Sequence, residues 1–211
     1  ESNPMTPAKV ELGRRLFHDT RLSLNETQSC ASCHLQELAF TDGLARSVGS
    51  TGEVHPRSSM SLANVAYTPT MTWANPILDS IESQALLPIF AEEPIVELGM
   101  TGREGLLLER LRDDADYPAR FGAAFPDADD PVSVAHVRDA LAAFQRTLIS
   151  GDSAFDRATK GGEPGAMSES ARRGTDQCFC ERMESFHCHG GFTFSATVDH
   201  EGLALTEERG V

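Results

Sequence analysis

Two stretches of this 211-residue chain set cysteine and histidine at spacings that can do chemistry. The first, Cys30-Ala-Ser-Cys33-His34, is a complete C-x-x-C-H. Thiols at i and i+3 lie about one helical turn apart, so both can form thioethers with the vinyl groups of one haem. The adjacent histidine then presents a ring nitrogen to the iron. Two other uses of such a pair compete. A thioredoxin-like redox pair calls for a βαβ context, and half a zinc site calls for a second C-x-x-C or H-x-x-x-H; the chain offers neither. The second stretch, "SFHCHGG", keeps Cys188 and His189 but has Ser185 where the first cysteine would stand. A serine hydroxyl does not readily add to a vinyl group. This stretch could therefore hold a haem through one thioether and His189, serve another purpose, or bind nothing. Exchanging Ser185 with Cys180 would complete the motif as "CFSERMECFHCH".

The elements around these motifs read as helices joined by long loops. In "TPAKVELGRRLF", Thr6 is a natural N-cap, Pro7 suits the first helical position, and Val10, Leu12, Leu16 and Phe17 recur near helical spacing. "GREGLLLERLRDD" reads as a helix. "DPVSVAHVRDALAAFQRTLIS" is the clearest one, starting at Pro131 with Val134, Val137, Leu141, Phe144 and Leu148 on one face. Residues 41–76 are rich in Gly, Ser, Thr, Pro and Asn and predict a long loop. "SGDSAFDRATKGGEPGA" predicts a linker, and "SESARRGTDQCF" opens another helix. No strand alternation stands out. The order of a Gly-containing helix, a cysteine motif and a short apolar segment occurs twice, as "LGRRLF…CASCHLQELAFTDG" and "RRGTDQCF…SFHCHGGFTFS". That echo predicts two related modules.

Composition narrows the function classes. A formal charge of −14 argues against nucleic acid, whose phosphates are met by Lys and Arg. No apolar run approaches the ~20 residues that cross a bilayer, so no membrane span is expected. Five cysteines in two tight clusters, 30/33 and 178/180/188, suit cofactor chemistry better than a disulfide framework.

The segment "LFHDTRLSLNETQSCASCHLQELAFTDG", followed in order by "SLANVAY", "TWANP", "IESQALLPIF", "ALAAFQRTLISGDSAFDR" and "FHCHGG", resembles the bacterial di-haem cytochrome c peroxidase/MauG superfamily through nearly the whole chain. "TWANPILDSIESQALLPIFAEEP" is most similar to the MbnH-type, methanobactin-associated branch. The resemblance implies a mostly α fold of two cytochrome c-like haem domains with long loops. Residues 1–153 would form the N-terminal, peroxidatic haem domain, and 154–211 a linker and the start of a C-terminal domain that is incomplete here. The second iron's far ligand, a Met or a Tyr in such proteins, would come from a further stretch.

Residue by residue, the resemblance makes His34 the proximal ligand of the peroxidatic haem, attached through Cys30 and Cys33. His189 and Cys188 would hold a second haem c by one thioether. Gln84 and Pro88 match a Q-x-x-x-P element on the distal side of the first haem. A carboxylate follows as acid/base for O–O cleavage, and Glu97 is assigned that role ahead of Glu92 and Glu93. Trp73, the one tryptophan, matches the relay between haems, although alone it would read as core packing. Some members cap the peroxidatic iron with a loop histidine. His55 sits too near Arg57 for that match, so the resemblance favours an open or water-bound iron. His18 and His136 read as surface or satisfied histidines. An inter-haem calcium is common and is held partly by an Asn directly after an Arg; Ser58 after Arg57 removes that ligand, leaving carbonyls.

The function so implied is a periplasmic oxidoreductase that uses hydrogen peroxide through high-valent haem to oxidise a side chain, a tryptophan, of a partner protein. The alternative is a cytochrome c peroxidase fed by a small cytochrome or cupredoxin. A third reading, of another class, is an electron-transfer cytochrome without enzymatic activity.

Overall fold

The computed structural model describes residues 3–72, 78–190 and 193–195. It is mostly helical. The helices are α1 (Pro7–Phe17), α2 (Cys30–Cys33), α3 (Ile81–Ala85), α4 (Leu87–Phe90), α5 (Glu104–Arg112), α6 (Tyr117–Ala124), α7 (Val134–Gln145), α8 (Ala154–Thr159) and α9 (Glu169–Cys178). Extended pairing among the described residues is limited to two isolated bridges, Leu35 with Thr41 and Val48 with Val54.

The packing centre is α1 crossing α7. Thr6 accepts a hydrogen bond from Lys9 N and Pro7 opens α1, as its sequence requires. Leu12, Leu16 and Phe17 are buried on one side, and Val137, Ala140, Leu141 and Phe144 answer them from α7. Gly13 sits at the crossing. A Cβ there would come within 1.9 Å of the Ala140 carbonyl oxygen, so only glycine allows the helices this close. The Phe17 and Phe144 rings meet beside it, 5.1 Å apart. α6 closes the other side of α1 with Tyr117 and Phe121, both fully buried.

Charged groups tie the loops to this core. Tyr117 donates to Asp19 Oδ2 at 2.6 Å, and Arg21 bridges Asp19 and Asp114. Arg21 holds the Asp114 carboxyl down at about 2. Arg110 on α5 donates to the carbonyls of Arg21, Ser23 and Leu24, which fixes the loop leading into α2. Glu82 on α3 pairs with Arg146 just after α7 at 2.7 Å.

Three sequence expectations shift. The long helix begins at Val134, capped by Ser133 Oγ to His136 N, and ends at Gln145. Pro131 lies before it because the Ser133 side chain makes the better cap. The expected linker contains α8, closed by a reciprocal Ser153–Asp156 capping box. Helices α3, α4 and α6 are too short for their periodicity to stand out. Residues 41–72 do form a long loop, with one 3-10 turn at Val65–Tyr67. Buried hydrophobic residues among those described run from Leu12 to Leu148 and not beyond.

Candidate functional site

Cys30 and Cys33 begin and end α2, a single turn. Ser32 Oγ accepts from Ser29 N at 3.0 Å and sets its start. Cys30 packs against the hydrophobic core, and burial pushes its thiol up to about 12. Cys33 is raised too, first by burial and then by Asp42 and Glu97. Thiols raised by burial are the poorer redox nucleophiles, since the thiolate is the reactive form. Among the described residues, no further His, Cys, Asp or Glu gathers here as a zinc site would need.

His34 follows at the end of α2. Its Nδ1 donates to the Phe40 carbonyl at 2.8 Å. The turn that delivers this carbonyl has Ala39 at φ 55° and Phe40 at φ 60°, and is closed by Phe40 N to Leu35 O at 2.8 Å. Burial lowers the His34 pKa, opposed by the Phe40 carbonyl, Asp42 and the Met60 carbonyl. A neutral ring with Nδ1 committed could offer only Nε2 to a metal. Beside it lies a recess of about 570 Å³ with a mixed lining, apolar at Ala31, Phe144 and Leu148 and polar at Arg14, Glu37 and Thr147. Two thiols one turn apart and a neutral imidazole with its tautomer set are the groups that could hold a c-type haem, and of these only His34 lines the recess.

Glu97 stands on the segment after α4. Ser50 N donates to its carbonyl at 2.7 Å, Leu98 N to the Pro88 carbonyl at 2.9 Å, and Met100 N to Ile89 O at 2.9 Å. The backbone of the Q-x-x-x-P element thus holds the segment that carries Glu97. Burial raises the Glu97 carboxyl and His55 lowers it, while its own charge raises both thiols. Packed by protein, its side chain still keeps 43% of its surface open. Glu92 and Glu93 are exposed. Gln84 is half-buried on α3, whose position the Glu82–Arg146 pair sets.

The structure does not gather all the expected residues. Glu97 keeps company with Cys30, Cys33 and His55, whereas the large recess beside His34 has none of Gln84, Pro88 or Glu97 in its lining. Trp73 lies outside the described residues. Cys188 and His189 are exposed after α9, with Ser185 at the start of a 3-10 turn over Ser185–His187. His136 is satisfied, stacked on Phe125 at 4.0 Å and bonded to Pro131 O. His18 caps α1 and lines the recess beside His34. The neighbour that sequence reasoning did not connect to Glu97 is His55, whose Nε2 lies 3.9 Å from Glu97 Oε1. No local signal links positions that far apart in the chain.

Among the described residues no helix is long and apolar enough to cross a membrane. The chain is 38% identical over its whole length to the methylamine utilization protein MauG of Methylorubrum extorquens, covering 57% of that protein. It is 39% identical over 90% of its length to the cytochrome-c peroxidase IdrP1 of Denitromonas iodatirespirans, covering 48% of it. A solved structure described as a MauG-like protein associated with microbial copper homeostasis superposes with a TM-score of 0.88 at 44% identity, covering 97% of this chain and 58% of that one. The chain thus spans about half the length of the relatives it matches. The model of the di-haem cytochrome c peroxidase family matches residues 7–164, three-quarters of the chain, and the chain belongs to that family.

Proposed function

We propose that this chain is the peroxide-handling part of a periplasmic di-haem oxidoreductase that oxidises a tryptophan side chain of a partner protein. The observation that carries the reading is Glu97, a carboxyl raised by burial and set beside the Cys30 and Cys33 thiols on a segment hydrogen-bonded to Pro88. The first haem would be held by Cys30, Cys33 and His34, and a second by Cys188 and His189 through one thioether. The chemistry a haem supplies there is electron transfer to peroxide. Hydrogen peroxide takes up two electrons and two protons and leaves as two waters. Glu97 takes the proton from one peroxide oxygen and returns it to the other, and a carboxyl whose pKa is raised does both more readily. Gln84 and Pro88 would orient the distal side, and Trp73 would pass charge between haems. Periplasmic residence follows from haem c being attached outside the bacterial cytoplasm.

The partner-oxidising reading is favoured by MauG of M. extorquens, which aligns along the whole chain. The second reading, peroxide reduction with electrons from a small cytochrome or cupredoxin, is favoured by the similarity to IdrP1. The test uses the full-length protein containing this chain, with two covalent haems first established by intact mass. Peroxide consumption without added donor, leaving an oxidised tryptophan on the protein encoded beside it, supports the first reading. Turnover only with a reduced cytochrome or cupredoxin supports the second. An EPR spectrum without high-spin ferric iron, together with no reaction toward peroxide, makes the protein an electron-transfer cytochrome and removes both.

A further inference from the structure

His55 is carried by a short hairpin that folds against the Glu97 segment. Its bridge pairs Val48 with Val54, and His55 N donates to Ser47 O at 2.8 Å. Gly49 presses on the other segment so closely that a Cβ would lie 2.1 Å from Val96 O. Ser50 N reaches Glu97 O, and Glu53 Oε2 accepts from Val96 N at 3.2 Å. Two segments joined at these points hold their side chains in fixed relation. The imidazole is 19% exposed, and its Nε2 stands 3.9 Å from Glu97 Oε1, within ion-pair reach though beyond a direct hydrogen bond.

The other ring nitrogen is served in both protonation states. Nδ1 lies 3.0 Å from the Arg57 amide nitrogen and 3.1 Å from the Arg57 carbonyl oxygen. The neutral ring accepts the Arg57 N–H at Nδ1, and the imidazolium donates from Nδ1 to the Arg57 carbonyl. In either state Nε2 carries a proton toward Glu97. A histidine serving only to pack needs one such partner, and this one has a donor and an acceptor at the same nitrogen.

We propose that His55 is a positioning residue for Glu97: with Nδ1 engaged by Arg57, the Nε2–H it aims at the carboxyl holds that group in its ionised, proton-accepting form. The idea rests on the acid/base reading of Glu97 given above. The titratable groups that act on or feel Glu97 are His55 from the hairpin and Cys30 and Cys33 from α2, while Glu53 is engaged by the adjoining Val96 amide. Thioethers would remove the two thiols from that set, leaving His55 as the group that opposes the upward push of burial on the carboxyl.

The test is an infrared pH titration of the carboxyl band in the full-length, haem-loaded protein, with Glu97→Gln assigning the band. His55→Gln should raise the Glu97 midpoint by about one pH unit, the size of effect an adjacent charge produces. The acid limb of peroxide consumption should move up equally. His55→Lys, which places a cation there, should hold the midpoint at or below that of the parent. A midpoint unmoved in His55→Gln, or as high in His55→Lys as in His55→Gln, overturns the proposal. Conversion of low-spin to high-spin iron in His55→Gln also overturns it, since His55 would then be an iron ligand. If Glu97→Gln leaves peroxide consumption unchanged, the acid/base reading falls while the infrared midpoints still decide the pairing.

Discussion

At the first cysteine motif, His34 donates from Nδ1 to a phenylalanine carbonyl six residues on, at 2.8 Å. At the second, His189 does the same to Phe194 five residues on, at 3.2 Å. Both turns commit Nδ1, so the local chemistry is shared. The surroundings are not. Cys30 and His34 are packed under α1 and α7, whose core includes Leu12, Leu16, Phe17 and Phe144. Cys188 and His189 are exposed, and α9 buries none of its residues. Phe155, Phe179 and Phe194 form a small aromatic cluster in that region, with ring centroids 5.0 to 6.5 Å apart, but Phe179 and Phe194 remain exposed. A ligand turn can therefore form from local hydrogen bonds alone. Burial, which lowers the His34 pKa and raises the Glu97 carboxyl, needs the rest of a domain.

This contrast can be broken at several points. The largest effect is expected for Glu97→Gln, which should slow peroxide consumption by about a hundredfold to ten-thousandfold while leaving covalent haem content unchanged. Stopped-flow kinetics with a haemochrome assay checks both halves. Next comes Gly13→Val, where the added side chain meets the Ala140 backbone and should destabilise the first region by about 3 kcal/mol or more in urea unfolding. Gly174→Ala on α9, where a Cβ would meet nothing within 4 Å, should instead be neutral or stabilise by about 0.5–1 kcal/mol. Equal losses at both positions would contradict the difference between the regions.

A smaller effect is expected from acid. Asp114 is held at about 2 by Arg21 and by the Asp116 and Tyr117 amides, against 3.8 for an ordinary aspartate. A depressed pKa stabilises the fold above the unfolded value, and that contribution is lost as pH falls from about 4 to about 2. Asp114→Asn should flatten the pH dependence of the urea midpoint in that window and leave its slope at higher pH unaltered. The smallest is spectroscopic. Ser185→Cys should add a thioether and saturate one more vinyl group, so the haemochrome band of the variant should lie to the blue of the parent. Coincident bands would contradict the proposed attachment of a second haem through Cys188 alone.

Much of this was legible in the chain itself. Thr6 and Pro7 announce α1, the apolar face from Val137 to Phe144 announces most of α7, and C-x-x-C-H carries its chemistry in five residues. These are local patterns, and they hold because helix caps, helical periodicity and haem attachment act over a few residues. The starts of short helices were not legible, and α3, α4 and α6 come from tertiary packing rather than propensity. Only the fold could decide that Gly13 had to be glycine, since the reason lies in the Ala140 carbonyl on another helix. The same holds for Glu97 against Glu92 and Glu93: three acidic residues in one segment, of which one is drawn in by Ser50 and Pro88 while two stay in solvent. His55 meets Glu97 for the same reason, because hydrogen bonds between distant segments set which side chains share a charge, and no spacing along the chain encodes them.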